Sequence, residues 1–254
     1  MIHKPCVIDL DGTLYCGDEP TPFAGEWIDC LRANAIPFAL MTNNPSRSPR
    51  QIAQKLNEMG IRVQQDEIIT SAEVAVDYLV ENGTASVYVL GGEYLSGLAQ
   101  SRGLTITDDR PDYVLAGHTQ SFGYWELAKA AQLLIEGSSF LCTDFDHAIP
   151  FEGKMVPHTG ALAAYLQAVS GKTPSSTGKP NRCFLDVACK RLNRKPEELL
   201  LVGDNLETDI AMGVQYGAET ALVLTGITDE DKLSASTVLP TYVFRNLGEL
   251  IAYS

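Results

Sequence analysis

Two carboxylates, Asp9 and Asp11, stand one residue apart where the apolar run Cys6-Val7-Ile8 ends and Gly12-Thr13-Leu14 begins. The run has the character of a buried strand. A carboxylate at its end costs several kcal/mol unless it reaches solvent, takes up a proton or shares a cation. Three more polar clusters follow: Thr42-Asn43-Asn44, Gly178-Lys179-Pro180, and Gly203-Asp204-Asn205 with Asp209 one turn further on. Each alone has a plain structural reading. Thr42-Asn43-Asn44 reads as a turn with a helix cap, Asn205 as an N-cap, and Asp209 as an acid in a first helical turn. Gly12 and Gly203 read as serving backbone shape.

Taken together and in this order, the clusters compose one chemistry. Asp9, Asp11 and Asp204 repel one another unless a hard cation lies among them, and oxygen ligands with open water positions suit Mg²⁺. Such a cation draws in a phosphate dianion and cancels charge on the transferring group. Lys179 adds a second positive charge. Thr42 and the amides around Asn43 and Asn44 can donate to phosphate oxygens. Asp9 is then free to attack phosphorus as a covalent nucleophile. Asp11 can protonate a leaving alcohol and later activate water.

The elements that must hold these residues alternate strand and helix. Ile2 to Ile8, Ile36 to Met41 and Glu67 to Thr70 read as strands. Ala24 to Asn34 carries Trp27, Ile28 and Leu31 at helical spacing. A second helix starts at Ser48-Pro49, with Ile52, Leu56 and Met59 on one face and Gly60 closing it. A third is capped by Ser71 and stops at Asn82-Gly83. That alternation predicts a parallel sheet with helices on its faces and ligands at the C-terminal strand ends.

A second alternation fills the middle of the chain. Its expected strands are Ala85 to Leu90, Pro111 to Ala116 and Ser139 to Thr143. Its expected helices are Glu93 to Ser101, Tyr124 to Glu136 and Thr159 to Val169. The last third returns to the first style. It has helices at Asn181 to Leu192, Thr208 to Tyr216 and Leu247 to Ala252, and strands at Leu199 to Val202, Glu219 to Leu224 and Tyr242 to Phe244. Trp27 and Trp125 read as packing residues.

The four clusters resemble the four motifs of the haloacid dehalogenase superfamily of phosphotransferases. The run from Val202 through Asp204, Asp209 and Gly217 to Leu222-Val223-Leu224-Thr225-Gly226 is similar to the NagD-like subfamily, as are Leu40 to Asn44 and Gly178-Lys179-Pro180. The resemblance implies an α/β fold: a Rossmann-like parallel-sheet core with helices on both faces and an inserted α/β cap of the C2 type. The expected core is 1–82 with 178–254, and the expected cap is 83–177.

It also implies that Asp9 is the aspartyl-phosphate nucleophile and Asp11 the general acid/base. Mg²⁺ would be held by Asp9, the backbone carbonyl of Asp11 and Asp204, with Asp209 an outer or water-mediated ligand. Lys179 would steady Asp9 and the phosphate. After the expected cap strand the family often reads Thr-Asn-Pro-Asp. This chain has Thr143-Asp144-Phe145-Asp146-His147. Asp144, Asp146 and His147 either meet the leaving group's hydroxyls or form a solvated acidic turn. His158-Thr159-Gly160 either offers its helix start to a polar group or is an ordinary helix start with Thr159 as cap. His118 reads as a loop residue.

Composition sets the outer limits. The chain has 254 residues, is 45% hydrophobic and carries a formal net charge of −13. That balance argues against a nucleic-acid polymer or an anionic membrane as partner. The six cysteines show no paired spacing, and no apolar run is long enough to span a bilayer. A reduced, cytoplasmic setting is expected, with the protein a monomer or homodimer. The leading expectation is a Mg²⁺-dependent phosphatase for a small phosphorylated metabolite: a nucleotide monophosphate, sugar phosphate, phosphoglycolate, glycerol phosphate or pyridoxal phosphate. Its rivals are a phosphotransferase or mutase, a dehalogenase, in which Asp11 has no obvious part, and a non-catalytic sensor of a phosphorylated metabolite.

Overall fold

The computed structural model describes residues 3–151 and 154–253. They form two α/β units. The first comprises the chain up to Thr42, Pro49–Ile69, and everything from Lys179 onward; the second comprises Asn43–Ser48 and Thr70–Gly178.

The first unit is built on a six-stranded sheet in the order Tyr242–Phe244, Glu219–Val223, Leu200–Gly203, Cys6–Asp9, Phe38–Thr42, Ile68–Thr70. The Cys6–Asp9 strand runs parallel to both neighbours, with Ile8 opposite Val202 on one side and Leu40 on the other. Its four residues are all buried. This explains why it reads as a continuous apolar run rather than an alternating one. Ile8, Leu40 and Val202 pack with Trp27, Ile28 and Leu31 of the helix Ala24–Ala33, with Ile52 and Leu56 of Pro49–Glu58, and with Leu247 and Leu250 of Leu247–Tyr253. The helix Arg182–Leu192 buries Phe184, Leu185 and Ala188 and packs on the Phe38–Thr42 strand. Parallel register brings the C-terminal ends of Cys6–Asp9, Phe38–Thr42 and Leu200–Gly203 to one edge of the sheet.

The second unit has a five-stranded parallel sheet in the order Ser175–Ser176, Ser139–Cys142, Tyr113–Ala116, Ser86–Leu90, Thr105–Ile106. The two-residue period of a strand divides its core cleanly. Val114, Ala116, Phe140 and Cys142 face Ala130, Leu134, Leu162 and Leu166 of the helices Tyr124–Ile135 and Thr159–Ser170. Leu115, Leu141 and Val87 face Ala72, Ala75, Val76, Leu79, Leu95 and Ala99 of Ser71–Glu81 and Glu93–Ser101.

Several sequence expectations shift. The helix Ser71–Glu81, expected in the core, packs in the second unit, so the division falls at Ile69/Thr70 rather than at 82/83. Its cap is Thr70, not Ser71. Thr70 Oγ1 accepts from the Glu73 amide at 3.3 Å while Glu73 Oε2 accepts from the Thr70 amide at 3.2 Å. Only Thr70 stands three residues before a glutamate, as a capping box requires.

The expected helix over Thr208 to Tyr216 is a wide π-type turn, Leu206–Ile210, followed by the α-helix Ala211–Tyr216. The first strand begins at Cys6 rather than Ile2; residue 2 lies outside the described residues. A hairpin, Ala148–Phe151 with Lys154–Pro157, and the helix Glu230–Ala235 had no clear sequence signal.

The two tryptophans also part ways. Trp27 is fully buried, whereas Trp125 is 80% exposed, its ring edge-on to Tyr124. Trp27→Ala is expected to cost about 3–5 kcal/mol of stability, and Trp125→Ala to stay within about 0.5 kcal/mol. Urea unfolding of the two variants checks this, and comparable losses would contradict the packing described.

Candidate active site

Asp9 is the last residue of the Cys6–Asp9 strand, and Asp204 directly follows Leu200–Gly203, its neighbour in the sheet. Both side chains are buried. Lys179, just ahead of the helix Arg182–Leu192, is only 4% exposed. Its Nζ donates to Asp9 Oδ1 at 2.5 Å and to Asp209 Oδ1 at 2.7 Å. Asp209 comes from the wide turn after Asn205. Asn205 caps that turn by accepting from the Glu207 amide at 2.9 Å.

Asp9, Asp204 and Asp209 can each offer one oxygen, and these oxygens lie within 4.8 Å of one another. Asp209 therefore does more than sit near a helix dipole: it completes the acidic trio and shares the ammonium.

Three buried carboxylates around one ammonium leave a deficit of positive charge, and the titration of the groups reflects it. Burial pushes Asp9 well above the usual carboxylate range; Lys179 pulls it down, and Asp209 and Asp204 push it up again. Asp204 is raised to about 6 by burial and then by Asp209, partly offset by its hydrogen bond from the Ile227 amide. Burial would lower the Lys179 amine, yet Asp209 and Asp9 hold it above its ordinary value.

The space about Asp204 is shaped by backbone. Its Oδ2 accepts from Ile227 N at 2.6 Å. A Cβ at Gly226 would fall 1.9 Å from that oxygen, and one at Gly12 (φ +87°) 2.3 Å from it. Both positions require glycine. An all-oxygen, anion-rich cradle with this charge deficit fits a hard divalent cation.

Asp11 stands apart from the trio. Its exposed carboxylate accepts at Oδ2 from Tyr15 Oη at 3.0 Å and from Thr42 Oγ1 at 3.4 Å. Thr42, buried at the end of Phe38–Thr42, thus faces Asp11. Tyr15 carries no functional signal in the sequence, where it is one more apolar residue after Leu14.

The remaining expected site residues lie in the second unit. Asn43 Nδ2 donates to Asp146 Oδ2 at 3.2 Å, and Asn43 O accepts from Ser71 Oγ at 2.6 Å. Asn44 Oδ1 accepts from Ser46 N at 3.0 Å and Ser46 Oγ at 2.6 Å, an Asx turn. Asp144 is fully buried, taking Thr143 Oγ1 at 2.8 Å, the Asp146 amide at 3.1 Å and His158 Nδ1 at 3.0 Å. The loop after Thr143 is thus not simply a solvated acidic turn: Asp144 faces inward while His147 stays exposed.

His158, not Thr159, is the N-cap residue of Thr159–Ser170, and its ring is held by Asp144. His118, expected as a plain loop residue, stacks on His158 with ring centroids 4.3 Å apart. Burial, then the neighbouring His158, depress His118 to about 4. A coincidence of lone histidines in sequence carries no signal for such a stack.

Comparison with known proteins shows the family. Residues 6–105 match the family described as haloacid dehalogenase-like hydrolase, and residues 176–250 a second family described as HAD-hydrolase-like. An acid sugar phosphatase of Staphylococcus saprophyticus is 36% identical over 251 residues, covering 98% of this chain and 97% of its own. The structure of NagD from E. coli K-12 superposes with a TM-score of 0.92 at 32% identity, covering 98% of each chain. A glycerol phosphate phosphatase from Mycobacterium tuberculosis, solved in complex with magnesium, matches with a TM-score of 0.89 at 30% identity, over 98% of this chain and 76% of its own. By sequence and fold alike, the chain belongs to the haloacid dehalogenase-like hydrolases, in their NagD-like branch of phosphatases.

Proposed function

We propose that this phosphatase hydrolyses a small phosphomonoester, with Mg²⁺, through an aspartyl-phosphate on Asp9. The observation that carries the reading is the buried Lys179 ammonium held between Asp9 and Asp209 beside Asp204. Asp9, Asp204 and Asp209 are the side chains that would hold Mg²⁺, with the Asp11 carbonyl as a further oxygen. Bound there, the ion supplies charge neutralisation at the phosphoryl oxygens.

Lys179 fixes Asp9 through Oδ1, which leaves Oδ2 to attack phosphorus. The P–O bond to the leaving group breaks as Asp11 gives that oxygen its proton. Asp11, now ionised, takes a proton from a water that attacks the aspartyl-phosphate. Orthophosphate departs and Asp9 is restored. The second acid, Asp11, two residues from Asp9 and turned to a separate environment, favours this reading over a dehalogenase, in which it has no obvious part.

A hydroxylated substrate such as a sugar or polyol phosphate is favoured by the activities of two relatives, the acid sugar phosphatase and the glycerol phosphate phosphatase. A cytoplasmic setting is supported by six cysteines that are all unpaired. No helix among the described residues is long and apolar enough to cross a membrane.

Three outcomes are expected. Asp9→Asn should reduce phosphate release to background with an unchanged circular dichroism spectrum; turnover at the native rate would remove Asp9 as nucleophile. Asp11→Ala should lower kcat/KM by roughly 10²–10⁴-fold for an alkyl phosphate, and far less for p-nitrophenyl phosphate, whose leaving group departs without a proton. Equal losses would count against Asp11 as the acid.

The third concerns pH. A carboxyl raised in the folded state makes the native protein bind more protons than the unfolded chain between the two pKa values, so stability falls as pH rises through that window. For Asp204 the window runs from 3.8 to about 6. The Tm difference between Mg²⁺ and EDTA should widen across it, and Asp204→Asn should flatten the trend. A difference independent of pH in the native protein would show that the cation is held elsewhere.

A further inference from the structure

Tyr15 is not one of the buried trio, yet its hydroxyl is bonded to Asp11. It opens a small antiparallel ribbon, Tyr15–Cys16 with Glu19–Pro20. The backbone folds that ribbon back on Asp11: Gly12 N donates to Tyr15 O at 2.7 Å and Tyr15 N to Leu10 O at 3.2 Å. The ring is 6% exposed and packs with the core that contains Leu10, Leu14 and Trp27.

Lys55, on the helix Pro49–Glu58, covers the ring with its Nζ 4.2 Å from the centroid. The same ammonium donates to Gly17 O at 2.6 Å and pairs with Asp18 Oδ1 at 3.3 Å, so it closes the turn of the ribbon. Ring and ribbon are held from both sides, and the hydroxyl is delivered to Asp11 Oδ2 at 3.0 Å.

A carboxylic acid carries one proton on one of two oxygens, and which oxygen is chosen depends on what the other accepts. Asp11 Oδ2 accepts from both Tyr15 and Thr42, two hydroxyl donors. A proton on Oδ2 would have to point at one of these hydroxyls and so away from a leaving group, whereas a proton on Oδ1 leaves both bonds in place. Asp11 is otherwise exposed, where a short side chain samples several rotamers.

Resting on the acid/base role proposed above for Asp11, we infer that Tyr15 is a positioning residue for the proton-transfer step. Its hydroxyl locks Oδ2 and so makes Oδ1 the oxygen that delivers the proton to the leaving group and later takes one from water. The residue does not touch phosphate; it acts through Asp11.

Tyr15→Phe keeps the ring, its packing and the Lys55 contact, and removes only the hydroxyl. The test measures kcat and KM with glycerol phosphate and p-nitrophenyl phosphate for native enzyme, Tyr15→Phe, Asp11→Ala and the double variant, with Tm as a check on folding. Tyr15→Phe is expected to lose about tenfold in kcat/KM with glycerol phosphate, a fraction of what general acid catalysis supplies. With p-nitrophenyl phosphate it should lose less than about twofold, with KM for both within about twofold. In the Asp11→Ala background the second substitution should change nothing further, because the group it positions is gone.

Equal losses with both substrates, or a further loss in the double variant, would overturn the inference while leaving the phosphatase reading intact. If Asp11→Ala itself shows no dependence on the leaving group, the acid role and this inference fall together, whereas Asp9→Asn tests the nucleophile separately.

Discussion

The structure turns on one electrostatic constraint: a single buried ammonium, Lys179, faces buried carboxylates that outnumber it. In a low-dielectric interior, like charges at this separation repel strongly and an unpaired charge is costly to desolvate. The protein meets part of that cost internally. Lys179 bridges Asp9 and Asp209, and the Ile227 amide supports Asp204. The remainder is what a cation among the Asp9, Asp204 and Asp209 oxygens, as proposed above, would offset. On the reading proposed above, that unmet charge would serve both binding and reactivity, since a carboxylate fully satisfied by its own protein is a poor nucleophile.

Much of the first unit follows from the need to hold these groups together. A parallel sheet with both faces covered places successive strand ends at one edge, which no hairpin-connected sheet does in the same way. Asp9 and Asp204 sit at two such ends. The backbone near Asp204 comes closer than any side chain would allow, which is why glycine occupies positions 12 and 226. Asp11, only two residues from Asp9, is turned to a different environment by the tight turn and ribbon that follow. Two acids of the same type thereby acquire different surroundings: one buried and bound to ammonium, one exposed and bound to hydroxyls.

The second unit obeys a different balance. After the strand Ser139–Cys142, where the family resemblance implies Asn and Pro, this chain has Asp144 and Phe145. The added acid is not left to solvent. It lies fully buried against His158, on which His118 stacks, and it accepts from Thr143 and from the Asp146 amide. The loop from Thr143 to His147 is thus tied by Asp144 to the first turn of Thr159–Ser170. The acid that departs from the expected pattern thus has its partners in place.

The sequence by itself determined the alternation of strands and helices, the presence of an inserted α/β block, and the chemical types gathered at strand ends. Periodicity and residue type are local properties, and Cys6 to Asp9, Ala24 to Ala33 and Glu93 to Ser101 carry them within a few residues. The tertiary structure alone decided which acids share the ammonium, since Lys179 and Asp9 are 170 residues apart and meet only through strand order and register. It decided that Asp209 joins Asp9 and Asp204 while Asp11 turns to Tyr15 and Thr42. It also decided that Ser71–Glu81 belongs with the second unit, because an apolar helix face does not name the sheet it will cover. Distances between groups remote in sequence are set by packing, and packing is a property of the whole chain.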